Sequence, residues 1–216
     1  MAGNLAAQYK EVFTRQNTRS FIVACIILCL AIIFQFYASA YADRVASTAV
    51  NDLLLDNLPI IDLNNIIVEG VLAAIVGSVV LLFLKPRYLV FTVKAAAIFI
   101  ATRAVCISLT HLGIYPGQVN PDTGFFDRIY TDLGLQAGFF FSGHTGLPFL
   151  LALIFWNEKF WRYLYFLLSL IFGVAVILAH VHYSIDVFAA PYIAYGIFKQ
   201  SQYLFERDYR LIVSDA

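Results

Sequence analysis

The sequence predicts an all-α fold: a polytopic membrane protein built as a six-transmembrane-helix bundle, with the N- and C-termini cytoplasmic. Three observations predict it. The chain is 61% hydrophobic and only 13% charged, whereas soluble domains run nearer half apolar and a quarter charged. Its apolar residues fall into six stretches separated by polar connections. Lys and Arg gather on alternate connections, as the positive-inside rule requires of a chain threaded back and forth through a bilayer. One membrane-embedded domain over residues 1–216 is expected, with no second soluble domain.

The first stretch runs from about Ser20 to Tyr41, long enough to cross roughly 30 Å of hydrocarbon. No convincing small-residue cleavage site follows a short apolar core, so a retained helix is expected rather than a cleaved signal. The second runs from about Ile66 to Leu84 and is rich in Val, Leu and Ala. The third runs from about Tyr88 to Leu112, and the fourth from near Gly143 to near Trp156. The fourth is short, so it is expected to begin inside a protected pocket. The fifth runs from about Trp161 to Val181 and the sixth from Ser184 to Leu204. Each must be helical, because backbone polar groups cannot go unpaired in lipid. The three cysteines, Cys25, Cys29 and Cys106, all fall within these stretches. They read as small packing residues rather than a disulfide framework.

Two connections are longer. Residues 42–65 are acidic and carry the turn signal Asn57-Leu58-Pro59; their Leu, Ile and Val content predicts an external amphipathic segment with a short helix lying on the membrane. His111 to Phe141 holds Pro116, Gly117, Pro121 and Gly124 and reads as a turn-rich external loop. Cations mark the opposite side: Lys10, Arg15 and Arg19 near the N-terminus, Lys85 and Arg87 between the second and third stretches, Lys159 and Arg162 between the fourth and fifth, and Lys199, Arg207 and Arg210 near the C-terminus. The external connections carry only Arg44 and Arg128, against Asp43, Asp52, Asp56, Asp62, Asp122, Asp127 and Asp132. Lys94 lies within about two turns of the cytoplasmic end of the third stretch, from where its side chain can snorkel. Trp156 and Trp161 flank the turn where an aromatic belt belongs. The formal net charge is zero, so nothing points to a nucleic-acid partner.

Ionisable groups inside a membrane are costly and are functional candidates by default. The topology brings Arg103, His144, and the group His180, His182 and Asp186 to one depth on the external side, from three separate stretches. His182 and Asp186 are spaced i, i+4 and share a face if the segment is helical. The carboxylate can then accept the imidazole Nδ1 proton, fix the tautomer and leave Nε2 as a nucleophile. His144 follows Ser142 and Gly143 at a helix start, where exposed N–H groups form an anion site. Gly143 permits close backbone approach to a phosphate, Ser142 can donate a hydroxyl, and His144 is placed to protonate a leaving oxygen. Arg103 can clamp phosphate oxygens in a fork. His180, Tyr183 and Thr145 are candidates to line the pocket. His180 reads equally as an interfacial residue, Ser142 and Thr145 as helix caps, and Glu69 as either a cap or an acceptor-site group.

These residues resemble the type 2 phosphatidic acid phosphatase (PAP2) superfamily, and within it most closely the branch that contains the sphingomyelin synthases. The resemblance is carried by Phe140-Phe141-Ser142-Gly143-His144-Thr145 and, 38 residues after His144, by His182-Tyr183-Ser184-Ile185-Asp186-Val187. Arg103-Ala104-Val105-Cys106-Ile107-Ser108-Leu109-Thr110 also looks like the Arg-to-Thr stretch of that branch's third helix. The likeness covers roughly Arg103 to Phe198. It implies His144 as general acid, His182 as the nucleophile that becomes phosphorylated, and Asp186 as its partner. The product alcohol leaves first, and water or another alcohol then takes the phosphoryl group.

Departures from the family patterns are informative. The phosphatase branch carries a Lys-plus-Arg first motif, absent here at the right spacing, and an Arg whose position is Val176. Sphingomyelin synthases lack that Arg as well, but their Cys-Gly-Asp word has no counterpart: the Asp position holds Gly138. With so few cations, phosphate binding rests on Arg103, helix-start amides and protonated His, which suits a phosphodiester. The resemblance therefore implies a lipid phosphotransferase or phosphohydrolase. It would take a membrane phospholipid as substrate and a lipid or water as acceptor, act at the exoplasmic face, and need no cofactor or metal. A lipid phosphate phosphatase is the alternative within the superfamily. A zinc site on His144, His180, His182 and Asp186, and a non-catalytic lipid-binding or transport protein, are readings of other classes. The small size and lack of an Asn-x-Ser/Thr sequon favour a bacterial inner membrane. Oligomeric state stays open.

Overall fold

The computed structural model describes residues 2–119 and 138–213. Among them the chain is helical, with irregular connections and no strand. Helix α1 is Ala2–Val12 and α2 is Arg15–Val45. A π-helical turn, Ile66–Gly70, leads into α3, Val71–Leu84. Then come α4, Pro86–Leu109, α5, Gly143–Ile154, α6, Lys159–Leu178, α7, Ser184–Leu204, and α8, Glu206–Val213.

All six apolar stretches form helix, but among the described residues only α2, the π turn with α3, α4 and α6 are both long and apolar enough to cross a membrane. Helix α5 has 12 residues, about 18 Å at the α-helical rise, and falls short of the hydrocarbon thickness. Helix α7 is long but carries Asp186, Lys199, Gln200 and Gln202. Helices α1 and α8 lie outside the apolar stretches and were not expected. The signal for α8 was available in its spacing of Tyr209, Ile212 and Val213 opposite a charged face.

Local sequence explains the helix starts. Thr14 caps α2, its hydroxyl accepting from Asn17 N–H. Pro86 sits in the first turn of α4, where its missing N–H costs nothing. Helix α2 packs along α4 through small residues: Ala24, Ala31, Ala38 and Ala42 are all buried. Their near-heptad spacing keeps them on one face, and alanines let two backbones approach closely in lipid. Ala38 and Ala42 meet Ala104 and Ile107 of α4, while Ile22, Ile26 and Ile33 on the opposite side are exposed. Helix α5 is sheathed by α4, α6 and α7, so most of its residues are buried. The main core gathers Phe91, Phe99, Phe141, Leu150, Phe155 and Ala190.

The cation-rich connections meet at one end of the bundle. Tyr9 donates to the carbonyl of Phe83, Lys85 pairs with Glu158, and Arg207 donates to Asn17. Lys94 does not snorkel. It is buried and pairs with Asp208 of α8 at 2.6 Å, and Ser20 bridges both, accepting from Lys94 at 2.7 Å and donating to the carboxylate at 3.0 Å. At the other end lies a strap, residues 46–63. It holds one turn at 53–57 and no helix, so the expected membrane-surface helix does not form. Its acidic side chains are spent on loop and helix-end N–H groups instead. The strap pairs with the segment after α4: Ser47 N–H donates to the carbonyl of His111 and Gly113 N–H to that of Thr48. Of the long external loop, Pro121, Gly124, Arg128, Asp122, Asp127 and Asp132 lie outside the described residues.

Candidate active site

The site begins with the turn into α5. Gly138, Phe140 and Phe141 have positive φ angles of 91°, 97° and 36°. That region is rare for bulky residues, and such strain persists only where the surroundings enforce it. Here they do. Arg103 Nη2 donates to the carbonyl of Gly138 at 3.2 Å, and the Thr110 hydroxyl donates to that of Phe139 at 2.6 Å. The Phe141 ring is wholly buried, edge-on to Phe99. A Cβ at Gly138 would stand 2.8 Å from Ile107 Cβ. Both φ and space thus demand glycine where the sphingomyelin synthase pattern has Asp.

This turn delivers Ser142 to the N-cap of α5, where its hydroxyl accepts from Thr145 N–H at 3.4 Å. Its own N–H donates to the carbonyl of Asp186 at 2.9 Å. His144, in the first turn, is buried. The carbonyl of Thr145 accepts from Ser169 of α6 at 2.8 Å, which fixes the rotation of α5 about its axis.

His182 precedes α7 rather than lying in it. Residues 179–183 form the turn from α6, pinned by Val176, whose carbonyl accepts from Val181 N–H at 2.9 Å and His182 N–H at 3.3 Å. Tyr183 is extended, with φ −61° and ψ 151°, and the helix starts at Ser184. The expected pairing still forms: His182 Nδ1 is 3.1 Å from Asp186 Oδ2, and Asp186 is fully buried. The His144 and His182 rings stand 5.5 Å apart, centroid to centroid, in an edge-to-face arrangement. Arg103 is buried in α4, and a Cβ on Gly143 would lie 3.5 Å from its Nε. The guanidinium therefore runs alongside the Ser142-Gly143 backbone.

The structure thus brings Arg103, Ser142, Gly143, Thr145, His144, His182 and Asp186 together, contributed by α4, α5 and the α6–α7 turn into α7. The other candidates fall elsewhere. His180, with φ 55°, is buried. Its ring meets Tyr115 edge-on at 5.3 Å, and among the described residues neither ring nitrogen has a hydrogen-bond partner. Tyr183 is buried and reaches Gly113. Glu69 is exposed on the π-helical turn. Among the described residues no three His, Cys, Asp or Glu side chains are grouped so as to hold a metal ion, so the zinc reading has no ligand set there.

Sequence reasoning missed two neighbours of the site. Phe139 stands edge-on to His182 at 6.3 Å and to Tyr183 at 5.3 Å. Asp52, read only as external negative charge, reaches Ser184 at the start of α7. The available signal was an absence: Tyr183 is no capping residue, so α7 needed a cap from elsewhere.

Residues 138–203 match the family model described as PAP2 superfamily C-terminal. The matched stretch contains Ser142, Gly143, His144, His182 and Asp186; Arg103 and Asp52 lie outside it. The match supports membership of the PAP2 superfamily and with it a phosphatase- or phosphotransferase-type activity on a lipid phosphate. No curated protein matches the chain.

Proposed function

We propose that this protein is a membrane lipid phosphotransferase or phosphohydrolase that cleaves a phospholipid through a phosphohistidine on His182, in the manner of the sphingomyelin synthase-like branch or of a phospholipase C. One observation carries the reading: a buried His–Asp pair at 3.1 Å beside a second buried histidine whose ring is 5.5 Å away. Asp186 holds the Nδ1 proton, and Nε2 of His182 attacks phosphorus. The bond to the diacylglycerol oxygen breaks, and His144, as general acid, protonates that oxygen. Diacylglycerol leaves. Water or a second alcohol then attacks phosphorus, the P–N bond breaks, and His144 takes the attacking proton. Arg103, the Ser142 hydroxyl and the first amides of α5 stabilise the charge on the non-bridging oxygens.

Among the described residues the guanidinium beside the Ser142-Gly143 backbone is that of Arg103, and one such charge suits a phosphodiester with one negative charge better than a dianionic monoester. A lipid whose acyl chains stay in the bilayer would bring its phosphate to the start of α5, where Ser142 and His144 lie. For topology we infer six crossings with both termini cytoplasmic. The supporting contacts are Ser20 with Asp208 and Asn17 with Arg207, which put the starts of α2 and α8 side by side, as an even number of crossings requires. The site then faces the exoplasm.

The test is lipid mass spectrometry after incubating purified protein with mixed phospholipids. Diacylglycerol with free phosphorylated headgroup means hydrolysis, and diacylglycerol with a new phospholipid means transfer. Phosphatidate conversion alone would favour the phosphatase alternative, and an unchanged lipid profile would remove the enzyme reading.

A further inference from the structure

Helix α7 begins without a capping side chain of its own, because Tyr183 at its N-cap does not accept from the first turn. The cap comes from Asp52. Its Oδ2 accepts from the N–H of Ser184 at 2.8 Å and from the Ser184 hydroxyl at 2.8 Å. Its Oδ1 accepts from Leu54 N–H at 3.0 Å and Leu55 N–H at 3.2 Å. Four donors saturate one buried carboxylate. The negative charge also lies favourably at the positive end of the helix dipole.

Asp52 is itself held. Its N–H donates to Asp56 Oδ2 at 3.1 Å, and the other oxygen of Asp56 takes the Tyr115 hydroxyl. The same strap grips the preceding residue, for the Tyr183 hydroxyl accepts from Val50 N–H at 3.3 Å and donates to Gly113 at 2.9 Å. Two successive residues between His182 and Asp186 are therefore fastened to the strap and the segment paired with it. Neither His182 nor Asp186 touches the strap directly in any of these bonds.

We propose that Asp52 is a positioning residue for the His182–Asp186 pair: by capping Ser184 it fixes the turn that holds the imidazole Nδ1 against the carboxylate. The strap thereby becomes part of the site's framework. The chemistry explains the residue type. Asn offers one acceptor oxygen where two are used, and its amide would turn donors toward donors. Ala leaves the first turn of α7 uncapped. The inference rests on the phosphohistidine reading only for its effect on turnover; the His182–Asp186 hydrogen bond is observable without it.

The test uses full-length protein in detergent micelles, labelled with nitrogen-15 histidine and assigned with H182A. Wild type, D52N, D52A and S184A are compared by the His182 Nδ1–H resonance and by kcat and KM for phospholipid cleavage. The expected result is a shifted or exchange-broadened resonance in D52A, with smaller changes in D52N and S184A. In D52A kcat falls by up to about a hundredfold, the scale of a misplacement near 1 Å, with KM unchanged. If D52A does not fold, S184A carries the test, since it deletes one hydroxyl and leaves every backbone donor. Folded D52N and S184A with a wild-type resonance and wild-type kcat would overturn the proposal. A shifted resonance in protein that cleaves no lipid would leave the positioning role standing and remove the catalytic reading.

Discussion

Ser142 and Asp186 are joined main chain to main chain, the N–H of Ser142 donating to the carbonyl of Asp186 at 2.9 Å. That single bond ties the start of α5, which carries His144, to the first turn of α7, which carries the partner of His182. The two histidines are thus set by helix ends in register rather than by flexible side chains meeting.

His144 and His182 are expected to fail differently. With His182 the nucleophile and His144 the general acid, as proposed, H182A should abolish both turnover and any acid-labile phosphoenzyme. H144A removes a general acid, which costs about 10²- to 10⁴-fold, and a substrate with a nitrophenol leaving group should recover most of that loss. Rates on natural and activated phosphodiesters check this. Equal losses on both would show that His144 is not the acid.

Gly146 separates packing from chemistry. A Cβ there would stand 2.9 Å from the Phe99 ring, whereas at Gly77 and Gly196 it would meet nothing within 4 Å. G146A should destabilise by about 1–3 kcal/mol through overpacking. G77A and G196A should be neutral or gain up to about 1 kcal/mol from reduced backbone entropy. Thermal unfolding in detergent reads all three.

Lys94 and Asp208 form a buried pair, with side chains 9% and 5% exposed. Breaking one partner leaves an uncompensated charge, so K94A or D208A should each cost about 3–5 kcal/mol. K94M/D208L, which replaces both with apolar side chains, should cost far less than the sum of K94M and D208L alone. A double-mutant cycle on thermal stability gives the coupling, and strict additivity would contradict the pairing.

Asp52 should contribute an acid limb to stability. Burial raises its carboxyl pKa, but hydrogen bonds from Ser184, Leu55 and Leu54 outweigh that and hold it below the ordinary value. A depressed folded pKa means the unfolded chain binds the proton more tightly. The contribution is present above the unfolded value of about 3.9 and is lost as pH falls through the folded one. The stability gap between wild type and D52N should therefore be widest near neutral pH and close in acid. A constant gap across the range would contradict the assignment.

Membership in a helical membrane fold was written in local features. Apolar run length set the helices, and Ser184–Leu204 starts and ends where hydropathy put it. The Ser142-Gly143-His144 and His182–Asp186 words marked residues that meet in the fold, because capping groups and i, i+4 neighbours interact within one or two turns. The tertiary structure decided what depends on distant segments meeting. It decided that Asp52 caps a helix 132 residues away and that Lys94 finds Asp208 114 residues on instead of reaching for the interface. It also decided that Gly138 must be glycine, because Ile107 fills the space a side chain would need. Period and composition report which residues leave water; which buried donor meets which acceptor is settled only when the helices pack.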